Sequence, residues 1–289
     1  MNLKFKVALA QINPALGDFD KNIKKHLAFC DRAIKRKAEL IIFPELSLTG
    51  YSIKDLNFEL AIRRDNLKPI EPLLKKSRSI DIICGGIEED LNYGVFNSAL
   101  YISNGKLSFT HKKIYPTDYG MFEEIRYFSK GKDLKVYESK FGKLGILVCE
   151  DLWHISLPMI QALKGAKVLI TIAASPTRLQ LNSRSKTLKN YEINSEHHKT
   201  YARLLSSYVV FCNRVGYEDG VNFWGGSEIV DPFGSVTKLA KFFDEDMIIG
   251  EIDYNKVRRA RHQARHFLDE DISTLKNFVK ILHDEVMKL

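Results

Sequence analysis

Three chemically reactive side chains each end a run of the sequence that reads as a buried strand. Glu45 ends "IIFPE", Lys113 ends "LSFTHKK" and Cys149 ends "GILVC". A thiol is a nucleophile once it loses its proton, a carboxylate can accept that proton, and an ammonium can stabilise negative charge on a reacting oxygen. If the fold brings them together, these residue types indicate nucleophilic catalysis by Cys149.

Each of the three also has an ordinary structural interpretation. A cysteine after an apolar run is usually a small core residue, Glu45 suits a salt bridge at a strand end, and Lys113 suits a surface position beside Lys112. In α/β folds, however, ligand sites gather where strands end, because the sheet fixes positions and the loops expose functional groups. Position in the sequence alone leaves both interpretations open.

The elements that would position these residues alternate between strands and helices along the whole chain. No Pro/Gly/Ser-rich linker, repeat or low-complexity tract marks a boundary, so we interpret residues 1–289 as one α/β domain. Apolar runs predict strands in "KFKVALAQI", "ELIIF", "SIDIICGGI", "NSALYI", "LSFTHKK", "KLGILVC", "KVLITIAAS", "YVVFCNRV", "SEIVDPFGSVTKLA" and "MIIGEID". The Asn104-Gly105 dipeptide predicts a two-residue hairpin turn.

Helical periodicity and capping signals predict four helices. Apolar residues at helical spacing between 23 and 34 indicate the first, with Asp20 as its N-cap. A short helix begins at Ser156 and is closed by Gly165. A long polar helix spans about 184–206, and "ISTLKNFVKILHDEVMKL" forms a terminal amphipathic helix.

Composition favours a globular protein without a membrane segment. Hydrophobic residues make up 45% of 289 residues, which suffices for a core. The N-terminal "MNLKFKVALAQINP" has only a short uninterrupted apolar run, and no segment approaches the ~20 apolar residues of a membrane helix, so we expect a cytoplasmic protein. The four cysteines lie far apart without C-x-x-C or Cys/His pairing, which predicts free thiols and no zinc site.

The net charge of +8 is a modest excess, and its densest run is "KVRRARHQARH", residues 256–266. This run lacks interleaved aromatic residues, and the chain has no nucleic-acid-binding module. We therefore expect a solvated face or a subunit contact there rather than a nucleic-acid site.

Three longer segments share one resemblance. "IIFPELSLTGY", "HKKIYPTDYGMFEEIRYF" and "GILVCEDLW" together resemble the nitrilase (carbon-nitrogen hydrolase) superfamily, whose members carry Glu, Lys and Cys after strands in this order. "NSALYISNGK", "AASP", "NRVG" and "GGSEIVDPFG" also resemble family segments, so the resemblance covers nearly the whole chain. The most similar branch contains the glutamine-hydrolysing domains of NAD synthetases, which resemble this chain in "FPELSLTGYS", "YGMFEEIRYF" and "CEDLW".

The resemblance implies a four-layer αββα sandwich that assembles into dimers or higher homo-oligomers, with residues from about 255 to 289 as candidate subunit contacts. It implies no metal and no organic cofactor. In the NAD synthetase branch an ATP-using domain follows the amidase domain. Because no Gly-rich nucleotide loop follows the amidase segments here, we do not expect these residues to make NAD alone.

By the same resemblance, Cys149 is the nucleophile and Glu45 is the general base and acid. Lys113 and the backbone N–H of Glu150 would stabilise the oxyanion of the tetrahedral intermediate.

The lysine motif carries two further implications. Relatives often have a second glutamate after the lysine, and "MFEEIRYF" offers Glu123 and Glu124. Aligning "RYF" with the family register selects Glu124 as the residue that holds Lys113. Tyr115 stands where many relatives have His, so contacts made by that ring differ here.

The NAD synthetase branch also implies substrate contacts at Tyr119, the Glu150 side chain and Ser175 of "AASP". An acid beside the nucleophile would suit the α-ammonium of glutamine. Arg178 is inferred from its chemistry rather than from the family: its guanidinium would meet the α-carboxylate in a forked hydrogen-bonded pair.

These inferences predict a cysteine-dependent amidase that hydrolyses glutamine or a similar small ω-amide through a thioester, releasing ammonia and a carboxylic acid. Two alternatives stay open. One is a glutaminase subunit that passes ammonia to a separate synthetase, and the other is a non-catalytic binding protein on the same fold.

Overall fold

Two mixed β-sheets lie face to face at the centre of the protein, and helices cover the outer face of each. The computed structural model describes residues 4–177 and 188–287. The strands are β1 (Lys4–Gln11), β2 (Leu40–Ile42), β3 (Ile62–Arg63), β4 (Asp81–Glu89), β5 (Val95–Ser103), β6 (Lys106–Lys112), β7 (Val136–Ser139), β8 (Gly142–Val148), β9 (Val168–Ala173), β10 (Tyr208–Asn213), β11 (Val215–Glu218), β12 (Val221–Trp224), β13 (Glu228–Val230), β14 (Val236–Leu239) and β15 (Asp246–Asp253). The α-helices are α1 (Phe19–Lys35), α2 (Glu71–Lys76), α3 (Glu124–Tyr127), α4 (Ser156–Leu163), α5 (Lys189–Leu204), α6 (Tyr254–Gln263) and α7 (Ile272–Val286).

Each sheet has parallel strands at its centre and antiparallel strands at its edges. The first sheet has the order β15-β1-β2-β4-β5-β6 with β3 beside β4, and β1, β2 and β4 are parallel. The second has the order β14-β13-β10-β9-β8-β7, and β8, β9 and β10 are parallel. Glu45 follows β2 and Cys149 follows β8, so each lies beyond the carboxyl end of a parallel strand.

Successive residues of a strand face two different apolar layers. On β1, Val7 and Leu9 belong to the core between the sheets, whereas Ala8 and Ala10 face the layer formed by α1 and α2. The second sheet packs its other face against α4 and α5. Because both faces of each sheet are covered, the central strands are apolar at nearly every position. The predicted four-layer αββα sandwich is confirmed.

The first helix begins earlier than the sequence pattern predicted. Asp18 is the N-cap, since its side chain accepts the N–H of Lys21 at 3.0 Å. The predicted cap, Asp20, lies inside the first turn, where its charge still complements the helix dipole. The prediction was wrong because both acids suit a helix start, and only the backbone shows which one precedes it.

Most other local predictions are confirmed. Asn104 and Gly105 both have positive φ, 48° and 78°, in the turn between β5 and β6. Gly165 follows α4 at φ 99° and ends it as predicted. The long polar helix corresponds to α5, and its predicted first residues, 184–187, lie outside the described residues. The four cysteines are free thiols.

Two strands that the sequence pattern missed, β11 and β12, form a separate hairpin. Its turn is Asp219-Gly220, with φ of 50° and 78°, which is the Asp-Gly signal of a two-residue turn. The strands are only four residues long and partly polar, so they do not read as apolar runs. One residue of this hairpin, Glu218, contacts the loop that carries Tyr51.

The last helix, α7, lies on the surface. Asp271 caps it by accepting the N–H groups of Ser273 and Thr274. None of the residues of α7 is buried, although Phe278, Leu282 and other members are large and apolar. Across residues 4–177 and 188–287, no helix combines the length and apolar character needed to cross a membrane.

Candidate active site

Glu45 is fully buried, and three donors hold its carboxylate. Oε1 accepts from Nζ of Lys113 at 2.9 Å and from Nδ2 of Asn97 at 2.7 Å, while Oε2 accepts the N–H of Ala174 at 2.8 Å. Gly85 of β4 makes this turn possible, because a Cβ there would lie 2.2 Å from the backbone nitrogen of Leu46. The donors come from three different segments, so the carboxylate is fixed in position and orientation.

Lys113 is a buried lysine rather than a surface one, with 1% of the residue exposed. Its Nζ donates to Glu45 and, at 2.8 Å, to Oε1 of Glu124. Burial by itself would lower the pKa of Lys113, but the charges of Glu124, Glu45 and Cys149 outweigh it and hold that pKa well above its ordinary value. The ammonium therefore stays charged inside the protein.

Glu124, not Glu123, is the acid that contacts the lysine. Glu123 is exposed, whereas the buried carboxylate of Glu124 accepts from Lys113, from the hydroxyl of Tyr51 and from the N–H of Thr117. Burial raises the pKa of Glu124, and the charge of Lys113 partly opposes that rise. The contact with Tyr51 was not foreseen, although "LTGY" was part of the family segment.

Cys149 occupies a strained turn at the end of β8. Its φ is 45°, in the left-handed region that a side chain other than glycine adopts at a cost of about 1–3 kcal/mol. A short 3-10 turn, Cys149–Trp153, begins there. The other three cysteines are buried, whereas Cys149 is partly exposed, which is what a reacting thiol needs.

The pKa of the Cys149 thiol is influenced by the charges of Glu45, Lys113 and Glu124. Burial raises the pKa of its thiol well above the ordinary value, the charges of Glu45 and Glu124 raise it further, and the charge of Lys113 lowers it. Two carboxylates, one ammonium and one sulfur thus interact with one another. The thiol rests in its neutral form and needs a base to become a nucleophile.

Asp151 joins the two chain segments that carry the lysine and the cysteine. Its Oδ1 accepts the N–H groups of Ile114 and Tyr115, each at 3.0 Å. Its Oδ2 accepts the N–H of Val148 at 3.2 Å and pairs with Nε2 of His111 at 2.9 Å. Sequence reasoning missed this buried residue because its partners His111, Ile114 and Tyr115 lie more than 30 positions away, and the only local sign was an acid shortly after an apolar strand.

Of the predicted substrate contacts, Ser175 lines a cavity together with Cys149. The Tyr119 hydroxyl donates to the Glu150 carboxylate at 3.0 Å, and Ser175 accepts from the indole N–H of Trp224 at 3.1 Å. Arg178 lies outside the described residues. A small cavity beside the sulfur is lined by Cys149, Leu152, Trp153, Ser175, Asn194, His197, His198 and Phe211.

Tyr115, the departure from the family pattern, stacks on the ring of His154. The ring centroids lie 3.4 Å apart with an interplanar angle of 7°. Nε2 of His154 lies 3.9 Å from a carboxylate oxygen of Glu150, so the Tyr115 ring borders the turn that follows Cys149.

Comparison with known proteins decides the family. The family model described as carbon-nitrogen hydrolase matches residues 6–262. The chain belongs to the carbon-nitrogen hydrolase family. The resemblance drawn from three sequence motifs is therefore confirmed, and the chain is a carbon-nitrogen hydrolase by family and by fold.

Individual relatives agree with this assignment. A glutamine-dependent NAD(+) synthetase of Thermotoga maritima is 32% identical over 260 residues, which cover 88% of this carbon-nitrogen hydrolase and 43% of the synthetase. The structure of a glutamine-dependent NAD+ synthetase from Acinetobacter baumannii, in complex with adenosine diphosphate, aligns with a TM-score of 0.77 at 29% identity, covering 88% of this chain and 46% of that one. The chain thus spans about half the length of the synthetases that it matches.

A third comparison concerns the fold alone. The crystal structure of a carbon-nitrogen hydrolase from Helicobacter pylori G27 aligns with a TM-score of 0.83 at 23% identity and covers 96% of this chain and 98% of that one. The αββα sandwich of this carbon-nitrogen hydrolase is therefore shared nearly end to end.

Proposed function

We propose that this carbon-nitrogen hydrolase is a cysteine-dependent amidase that cleaves glutamine or a similar small ω-amide through a thioester. The observation that carries the proposal is the buried cluster itself. Glu45 and Glu124 both hold the ammonium of Lys113, and the charges of all three act on the thiol of Cys149. A structural core has little need to bury three charges beside a strained, partly exposed thiol.

In the first half of the reaction, Glu45 takes the proton of Cys149 and the thiolate attacks the amide carbon. The oxygen becomes negative in the tetrahedral intermediate, where the ammonium of Lys113 and the N–H of Glu150 stabilise it. Each such donor contributes about 3–4 kcal/mol to the transition state. Glu45 then returns the proton to the departing nitrogen, so that ammonia leaves and a thioester remains on Cys149.

In the second half, Glu45 removes a proton from water and the resulting hydroxide attacks the thioester carbon. The same two donors stabilise the second oxyanion, and its collapse expels the thiolate. Cys149 regains a proton from Glu45, and a carboxylic acid leaves. The buried position of Glu45 suits this repeated exchange, because three fixed donors keep the carboxylate beside the sulfur in both halves.

The preference for a glutamine-like substrate rests on the groups next to the nucleophile. The carboxylate of Glu150, which is held by Tyr119, is adjacent in sequence to Cys149 and suits an α-ammonium. Ser175 lines the same cavity as Cys149, and Arg178 is proposed for the α-carboxylate. The relatives named as glutamine-dependent NAD synthetases support this substrate class.

The experiment is ammonia release from a panel of amides with purified protein. Glutamine, asparagine, simple ω-amides, nitriles and carbamoyl amines are compared, with Cys149→Ala as the inactive control. Release from glutamine or another ω-amide that disappears in Cys149→Ala is the expected result. Binding of these compounds without any release would instead favour a non-catalytic protein on the same fold.

A second proposal concerns the use of the ammonia. Because several of the matched relatives are glutamine-dependent NAD synthetases, we propose that the released ammonia can serve a separate synthetase. A coupled assay tests this: a synthetase that uses ammonia is expected to form product with glutamine only when this protein is added. Unchanged product formation would contradict the proposal.

We also propose self-association through the C-terminal segment. The apolar residues of α7, among them Phe278 and Leu282, are exposed in the single chain, which favours a contact between copies. Light scattering coupled to gel filtration is expected to give a dimer or larger particle for the full chain. A smaller particle is expected for Phe278→Asp combined with Leu282→Asp.

A further inference from the structure

A buried ion pair outside the catalytic cluster joins Arg214, which directly precedes β11, to Glu218 at the end of β11. Nη1 of Arg214 lies 2.6 Å from Oε2 of Glu218, and both side chains are buried. The guanidinium also lies 4.1 Å from the centre of the Phe223 ring. Buried ion pairs often add little to stability, because desolvation offsets their attraction. A contribution to stability therefore does not by itself explain why this pair is buried here.

The second oxygen of Glu218 faces a different segment of the chain. Oε1 accepts the N–H groups of Tyr51 and Ser52, each at 2.7 Å. Gly50 precedes them with φ 80°, and a Cβ on it would come within 2.9 Å of Oε2 of Glu218. The carboxylate is thus closely fitted to the loop, and Arg214 balances its charge.

The loop that Glu218 holds carries a donor to the catalytic cluster. The hydroxyl of Tyr51 donates to Oε1 of Glu124, the same oxygen that accepts from Lys113. Burial, with the charges of Glu124 and Glu45, raises the pKa of Tyr51 well above its ordinary value, so the hydroxyl keeps its proton and remains a donor. A continuous set of contacts therefore runs from Glu218 through Tyr51 and Glu124 to the ammonium.

We propose that Glu218, with Arg214 as its counter-ion, is a positioning residue of this active site. It fixes the backbone of Tyr51, which orients Glu124 and thereby the ammonium of Lys113 toward the oxyanion. The inference rests on the proposed amidase function, and it extends the site to Glu218 at the end of β11. A displacement of about 1 Å at a reacting group can cost up to about 100-fold in rate.

The test compares Glu218→Gln with a matched control, Asp81→Asn. Asp81 is also a buried carboxylate, paired with Tyr101 at 2.6 Å and Lys140 at 2.7 Å, but it begins β4 at the end of the sheet away from Glu45. Active sites are counted by alkylation of Cys149, and kcat is expressed per counted site. Glu218→Gln is expected to lower kcat per site by about 10- to 100-fold with KM changed less than about threefold. Asp81→Asn is expected to lose stability but keep kcat per site.

A double-mutant cycle asks whether Glu218 acts through the tyrosine. If it does, Glu218→Gln lowers kcat little further in a Tyr51→Phe background, because the contact that it supports is already gone. An equal loss in both backgrounds would overturn the proposal, as would wild-type kcat per site in Glu218→Gln.

Two further measurements distinguish the positioning role of Glu218 from a folding defect and from a failure of the amidase proposal. If Glu218→Gln does not fold, Glu218→Asp retains the charge but is too short to reach Arg214 and both N–H groups, and a reduced kcat per site is again expected. The alkylation rate of Cys149 by iodoacetamide needs no substrate. A slower rate in Glu218→Gln than in Asp81→Asn supports the positioning role even if no amide is hydrolysed, and equal rates would contradict it.

Discussion

The ammonium of Lys113 lies 2.9 Å from a carboxylate oxygen of Glu45, although 68 positions separate the two residues and both are buried. Removing one partner of a buried ion pair leaves an uncompensated charge and typically costs about 3–5 kcal/mol. Lys113→Met is therefore expected to lower the free energy of unfolding by about that amount and to abolish amide hydrolysis. Urea unfolding and ammonia release measure the two effects.

The neighbouring lysine is the control for that variant. Lys112 is partly exposed and pairs with Asp90 at 2.9 Å, so Lys112→Met is expected to change stability by no more than about 1 kcal/mol. Its activity should match that of the unmodified protein. Similar losses in the two variants would contradict the special role of Lys113.

Removing the charge of Glu45 should make the thiol of Cys149 more acidic and, at the same time, slow amide hydrolysis. After burial, that charge is the main cause that raises the pKa of Cys149, while Lys113 lowers it. Glu45→Gln is thus expected to lower the pKa of Cys149, so alkylation by iodoacetamide becomes effective at lower pH. Amide hydrolysis should fall by about 100-fold or more, because the general base is lost. An alkylation profile that does not move toward lower pH would argue against a charged Glu45 beside the sulfur.

The three candidate residues could be picked out because each follows a strand that local periodicity reveals. Glu45, Lys113 and Cys149 lie where strands give way to loops, and the family resemblance singled them out. No local sequence pattern shows that these three residues lie close together. That proximity depends on the pairing of strands within each sheet and on the packing of the two sheets, which join segments such as Glu45 and Ala174 across 129 positions.

Asp151 is expected to matter for both stability and rate. Its carboxylate accepts three backbone N–H groups and faces His111. In Asp151→Asn, the side-chain NH₂ group would face some of these N–H donors, which would then lack an acceptor. Leaving buried donors unpaired costs about 1–3 kcal/mol each. Urea unfolding should show a loss of at least about 2 kcal/mol, with a lower kcat per alkylatable Cys149. Asp133→Asn, at an exposed position, is the control. A fully stable and active Asp151→Asn would contradict the account.

The side chain of Glu150 is expected to govern substrate choice rather than chemistry. A hydrogen bond to a charged group contributes about 1.5–3 kcal/mol, so Glu150→Gln should lower kcat/KM for glutamine by roughly 10- to 100-fold. Glutaramate, which lacks the α-ammonium, should be hydrolysed by Glu150→Gln at least as well as by the unmodified protein. Equal losses for the two amides would assign Glu150 to the reaction itself.

The residues that the sequence did not reveal are those that act through other residues. Tyr51, Asn97 and Glu218 are polar residues whose contacts toward the site span 52 to 167 positions, so no local pattern connects them to it. The Asp219-Gly220 dipeptide forms the turn of the missed hairpin, and nothing near it in the sequence indicates that Glu218 faces the loop of Tyr51. Such contacts follow only from the packed fold.

The most direct measurement is the mass of the protein after rapid mixing with glutamine and quenching in acid. The account predicts a γ-glutamyl group joined as a thioester to Cys149, located by peptide mapping and absent from Cys149→Ala. Ammonia release that persists in Cys149→Ala, or an acyl group found on Cys30, Cys84 or Cys212 instead, would contradict the central claim that this sulfur is the nucleophile.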